Sequence, residues 1–102
     1  MHARVTQARI LPGKLKEFTG AVESMVPTAR KQKGIRAVVV LKTKAQDPAE
    51  VTIISLWDNF DDLKASEKNM YFYQALSRVL TFCEGFPAVR EHEVLISEFA
   101  AD

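Results

Sequence analysis

Two stretches of this chain, Val38-Val39-Val40-Leu41 and Val51-Thr52-Ile53-Ile54-Ser55-Leu56-Trp57, read as strands that are apolar on both faces. A sheet with helices on one side and water on the other alternates apolar and polar residues. Here Val39 and Leu41 point one way, and Val38 and Val40 the other. Ile53 and Trp57 likewise oppose Ile54 and Leu56. Both faces of such a sheet need cover. The helices of a chain of 102 residues in this order can cover one face, and the sheet of a second subunit is the obvious cover for the other. A small domain buries a smaller share of its surface, so an added subunit also helps stability. A charge at Val38 or Val40, whichever faces the partner, is expected to dissociate or unfold the pair.

The rest of the chain supplies the other elements. Val5, Thr6, Ala8 and Ile10 suit a first strand over residues 2–11, ended by Pro12-Gly13. Leu15, Phe18, Val22, Met25, Val26 and Ala29 recur at helical spacing. Pro27 lies inside that pattern and removes a backbone donor, so it is expected to kink the helix or end its regular part. Gly34 fits a C-cap. Residues 35–43 form a second strand, residues 44–50 a polar turn broken by Pro48, and residues 51–57 a third strand in hairpin with the second. Asp58 or Asn59 caps a short helix with Asp61 and Asp62 in its first turn, where negative charge suits the dipole. Asn69 is a second cap. Phe72, Tyr73, Leu76, Val79, Leu80 and Cys83 stripe the helix after it, and Gly85 closes that helix. Residues 88–97 make a last strand. The order is strand, helix, strand, strand, helix in two pieces, strand. That is an α+β, ferredoxin-like split βαβ plan with an antiparallel four-stranded sheet. A single domain over residues 1–102 is expected.

Composition narrows the function classes. Fourteen Lys and Arg against thirteen Asp and Glu leave a net charge of +1, with no footprint for nucleic acid and no basic run for a membrane surface. The longest apolar runs, such as Ala37–Leu41, fall far short of the roughly 20 residues that span a bilayer. MHARVTQARI lacks the apolar core of a signal peptide. The single cysteine, Cys83, makes no internal disulfide. A cytoplasmic location is the expectation.

Pro12-Gly13-Lys14, Gly34-Ile35, Ile54-Ser55-Leu56-Trp57, and the run DDLKASEKN followed by YFYQAL stand in a telling order and spacing. Over nearly the whole chain this resembles the antibiotic-biosynthesis monooxygenase family of dimeric α+β barrels. The resemblance implies a homodimer that pairs its sheets into a barrel, with a small-molecule pocket in each subunit between sheet and helices. Some relatives oxygenate phenols or quinols with no metal or flavin. Triplet oxygen reacts slowly with closed-shell carbon, but an electron-rich substrate anion can pass it an electron. The protein then supplies a dry pocket, a proton acceptor and donors for the anion. On this basis His92, Tyr73 and Asn69 are the candidate catalytic residues. Trp57, Phe60, Ser66 and Phe72 are the candidate substrate-binding residues, with Arg36 and Arg90 as further polar points. No metal and no cofactor is expected. Other relatives degrade haem through an Asn, a Trp and a His. Thr6, Ser66 and Leu76 stand at those positions here, and leucine offers iron no ligand. Many other members carry a His where this chain has Ser66. The leading expectation is therefore cofactor-independent oxygenation of a small aromatic or quinol-like molecule. A non-catalytic ligand-binding dimer and a haem binder using His92 or His2 are the alternatives.

Each candidate also has a structural explanation. Trp57 is either core or pocket wall. His92 is either a base or an interface residue. Tyr73 shares the stripe of Leu76 and Leu80 and is core by default. Asp58, Asp61, Asp62 and Glu67 fit a helix start and a solvated face. Lys14 and Lys16 offer a weak anion site. Cys83 reads as an inert thiol.

Overall fold

The computed structural model describes residues 1–44 and 49–100, so the turn expected at Pro48 lies outside the described residues. Its elements are β1 (His2–Arg9), α1 (Leu15–Ala29), β2 (Ile35–Lys42), β3 (Glu50–Trp57), α2 (Phe60–Ser66), α3 (Met70–Thr81) and β4 (Ala88–Glu93). The strands form one antiparallel sheet in the order β2-β3-β1-β4. This is the ferredoxin-like α+β plan expected from the sequence.

Sequence periodicity and caps explain the helices. Phe18 and Ala29 are the most buried residues of α1 and lie on its inner stripe. Pro27 does not end α1. It sits in the last turn, and Arg30 N–H still reaches Val26 O at 2.9 Å, so the missing donor is lost where the ladder is about to stop. Asn59 caps α2 by accepting from Asp62 N–H at 2.8 Å, and Asn69 caps α3 by accepting from Phe72 N–H at 3.2 Å. Two caps ten residues apart divide one amphipathic region into two helices.

Register assigns the faces. Arg4 pairs with Ser55 and Glu91, Thr6 with Ile53 and Val89, and Ser55 with Val38. These residues share the face under the helices. Ala3 pairs with Leu56 and His92, Val5 with Ile54 and Arg90, and Ile54 with Val39. This second set has no helix over it. Val38 and Val40 are therefore on the helix-covered face, and Val39, Leu41, Ile54 and Leu56 on the open one. The charge that probes the open face belongs at the second set. The covered core gathers Ala8, Ile10, Phe18, Val51 and Val79, with Leu15, Val22 and Phe82 against it.

The last strand is shorter than residues 88–97. Its final pair is Glu93 with His2, where β1 begins, and only the bond from Val94 N–H to Met1 O extends it. With no partner left the ladder stops, and Leu95, Ile96 and Phe99 remain exposed.

Gly34 turns α1 into β2 with φ +83°, and its carbonyl accepts from Asp58 N–H at 2.7 Å. A Cβ there would lie 2.7 Å from Asp62 Cβ. Gly34→Ala is expected to lower stability by about 1–3 kcal/mol, combining the left-handed conformation with that overlap. A urea titration checks it. A change within about 0.5 kcal/mol, ordinary for a surface site, would mean that Asp62 simply moves aside.

Candidate functional site

The centre of the covered face is built from short side chains. Thr6 of β1 and Ser55 of β3 lie beneath Ala29 of α1 and Ala75 of α3. Large residues stand around them: Trp57, Ile53, Val22, Met25, Tyr71, Phe72 and Leu76. The sheet and helices therefore meet at the rim and leave a cavity of about 110 Å³ at the middle. A dry engineered cavity of about 150 Å³ admits benzene. The chamber thus holds about one ring in this conformation. A groove of about 620 Å³ runs outside it between α1 and α3, past Ser24, Thr28, Gln74 and Arg78. Met25, Tyr71 and Ala75 border both spaces.

One cation lies in this apolar surround. The Arg4 side chain is 9% exposed. Its Nη2 donates to Leu63 O at 3.1 Å, to Ser66 Oγ at 2.9 Å and to Glu67 Oε1 at 3.4 Å. Its guanidinium carbon lies 4.8 Å from the Phe72 ring centre and 5.6 Å from that of Trp57. Cations gain from aromatic faces at such distances. Burial pulls the Arg4 pKa below its ordinary value, and Glu67 partly opposes that shift. The group still stays charged, since arginine does not deprotonate in proteins. Burial pushes the Tyr71 pKa up, with Arg4 opposing, so Tyr71 keeps its proton at neutral pH and can donate it in a hydrogen bond. Outward from Arg4, Glu67 meets Lys64 at 3.5 Å, and Lys64 pairs with Glu91 of β4. That ion pair raises the pKa of exposed Lys64 and lowers that of Glu91.

The expected site residues separate into two groups. Trp57 and Phe72 line the cavity. Trp57 is both core and wall, at 1% exposure, and its Nε1 donates to Ser55 Oγ at 2.9 Å. Ser66 is buried behind the wall, where it accepts from Arg4 and donates to Leu63 O at 2.6 Å. The remaining candidates do not join them. Asn69 is occupied by capping α3, and its Nδ2 donates to Gln32 Oε1 at 2.8 Å. Phe60 lies outside the cavity with its ring 5.5 Å from that of His2. Tyr73 is 59% exposed and faces the outer groove, because the inner stripe of α3 runs through Tyr71, Phe72, Ala75, Leu76 and Val79. His92 is exposed on the open face, beside Ala3, and so is Arg90 beside Val5. Arg36 pairs with Asp58 at the β2 bulge. Cys83 is half-buried, its thiol donates to Val79 O at 2.9 Å, and burial pushes its pKa up. Among the described residues no three His, Cys, Asp or Glu gather where they could hold a metal. No described helix is long and apolar enough to cross a membrane.

Arg4 and Tyr71 were not among the expected site residues. Strand parity carried the signal for Arg4, which shares the face of Thr6, Ala8 and Ile10 rather than that of Ala3 and Val5.

The sequence model of the antibiotic biosynthesis monooxygenase family matches residues 1–78. The chain belongs to that family. Solved structures agree on the fold. A mutant of SnoaB, a cofactor-independent oxygenase from Streptomyces nogalater, superposes with a TM-score of 0.81 at 10% identity, covering 94% of each chain. A protein of unknown function from Nitrosomonas europaea gives 0.79 at 17% identity, covering 99% of this chain and 95% of its own. Rv0793 from Mycobacterium tuberculosis gives 0.78 at 14% identity, covering 94% and 96%. No curated protein sequence matches the chain. Of the three positions that the sequence reading set against a haem-degrading triad, Thr6 and Leu76 line the cavity and Ser66 bonds to Arg4.

Proposed function

We propose that this family member is a monooxygenase that oxidises a small aromatic, phenolic or quinol-like molecule with molecular oxygen and no cofactor, and that it works as a homodimer. The carrying observation is the aromatic-walled chamber between sheet and helices with Arg4 and Tyr71 at its edge. The ring rests against Phe72 and Trp57, where apolar walls exclude water. Once ionised, the substrate passes one electron to oxygen. The substrate radical and superoxide combine to form a carbon–oxygen bond. The oxygen–oxygen bond then breaks as the ring carbon loses its proton. One oxygen atom stays as a carbonyl and the other leaves as water. The substrate supplies every electron, so no outside reductant is needed. The SnoaB likeness supports this chemistry by analogy of fold.

A non-catalytic ligand-binding dimer is favoured by one observation. No carboxylate or imidazole lines the chamber among the described residues. The general base expected of His92 is therefore not in position, and a proton must leave to solvent. Haem binding gains no support, since His92 faces away and the chamber is far smaller than a macrocycle.

Oxygen uptake by purified protein with 1,4-dihydroxynaphthalene and with simple phenols decides between the two. Uptake above the spontaneous rate is expected, reduced about 100-fold or more in Tyr71→Phe, in keeping with a positioned proton donor, with an unchanged melting temperature. Absence of any protein-dependent uptake over that set leaves the binding module.

A further inference from the structure

Arg4 has more donors than the protein uses. A guanidinium carries five N–H groups. Those on Nη2 are engaged, while Nε is buried without a partner and Nη1 donates to nothing among the described residues. Its charge is also incompletely balanced. Glu67 approaches at 3.4 Å, yet it is shared with Lys64 and partly solvated. The charged and titratable groups around Arg4 are Lys64 from α2, Glu67 at its C-terminal cap, Tyr71 from α3 and Glu91 from β4. α1 presents only Val22, Met25, Val26 and Ala29 to the chamber. A buried cation with idle donors is costly unless an acceptor arrives. The chamber supplies the room for that acceptor, and its flat walls suit a ring.

We propose that the chamber binds its ligand as a planar conjugated anion, a phenolate or enolate, whose oxygen takes the free Nη1 N–H groups of Arg4. Arg4 is then a binding residue that selects the ionised form, and it replaces the missing general base by making ionisation favourable inside the chamber. The inference names the substrate class of the site proposed above and rests on that site, but it concerns binding alone and holds with or without oxygen chemistry.

The probe is 4-nitrophenol, a single ring that ionises near neutral pH and whose phenolate is coloured. Its methyl ether, 4-nitroanisole, is the neutral control. Both are titrated into the whole protein under nitrogen. The phenolate is expected to bind at least about tenfold more tightly than the ether, which corresponds to a fall of about one unit in the ionisation midpoint of the bound dye. Arg4→Met removes both the preference and the midpoint shift. Should Arg4→Met fail to fold, the comparison of the two dyes on the unaltered protein decides by itself. Equal affinity for the two dyes, or no binding of either, overturns the proposal. Phenolate binding without oxygen uptake from any quinol leaves the anion site standing and removes the oxygenase assignment. A phenolate preference undiminished in folded Arg4→Met overturns the role of Arg4.

Discussion

Trp57→Ala is expected to lower the unfolding free energy by about 3–5 kcal/mol, the range for truncating a buried large aromatic side chain. The indole is 1% exposed and stands where three strands meet, pairing across to His2 and to Ile35. It also supports the Arg4 guanidinium and bonds to Ser55. Its loss merges a new void with the existing chamber, so the surround has little left to collapse onto. Against a typical total of about 5–15 kcal/mol, this is a large fraction of the stability. The melting temperature should fall by on the order of 15 °C or more. Denaturant titration measures it. A loss below about 1 kcal/mol would mean that neighbouring side chains refill the space.

Ile54→Asp is expected to turn the proposed dimer into a folded monomer. Ile54 is central on the open face, between Val5 of β1 and Val39 of β2, with Leu56 and Leu41 nearby. Val39 and Leu41 are each more than 40% exposed, although both are large and apolar. A stable interface removes at least about 1,200 Å² from water, at roughly 25 cal/mol per Å² of apolar area. A carboxylate at the centre of such a contact is stranded without a partner. In the isolated subunit the same aspartate faces water and leaves the core intact. Light scattering reads the mass, and circular dichroism confirms the fold. A wild-type protein that stays monomeric at micromolar concentration, or a variant that stays dimeric, removes the sheet-to-sheet association.

The fold was legible because its signals are local and redundant. Asn59 and Asn69 are caps by residue type and position, the α1 stripe has helical period, and Gly34 marks a turn that only glycine enters freely. The two-faced strands were legible for the same reason, since parity along β2 and β3 needs no tertiary knowledge. The site was less so. Tyr71 and Tyr73 are two residues apart on one helix, and the sequence stripe took in Tyr73 and left out Tyr71, whereas in the fold Tyr71 lines the chamber and Tyr73 faces the outer groove. His92 drew attention as a titratable residue, but its face is fixed by pairing with Ala3, a register visible only in the assembled sheet. Parity puts Arg4 on the helix-covered face, but Ser66, Leu63 and Phe72, more than 50 residues away in sequence, close around it only in the fold.

The partition between chamber and outer groove has its own consequence. Of its three side chains, Ala75 has no rotamer to change, and Tyr71 lies half-buried beside Arg4. Met25 alone is long, unbranched and free to swing about several bonds. Its rotamer is therefore the one feature of this border that can change with the main chain in place, between a chamber of about 110 Å³ and a groove of about 620 Å³. The size of molecule admitted is then expected to follow the rotamer of one side chain, and a β-branched residue at this position, stiff at χ1, to make the chamber narrower in its choice of guest.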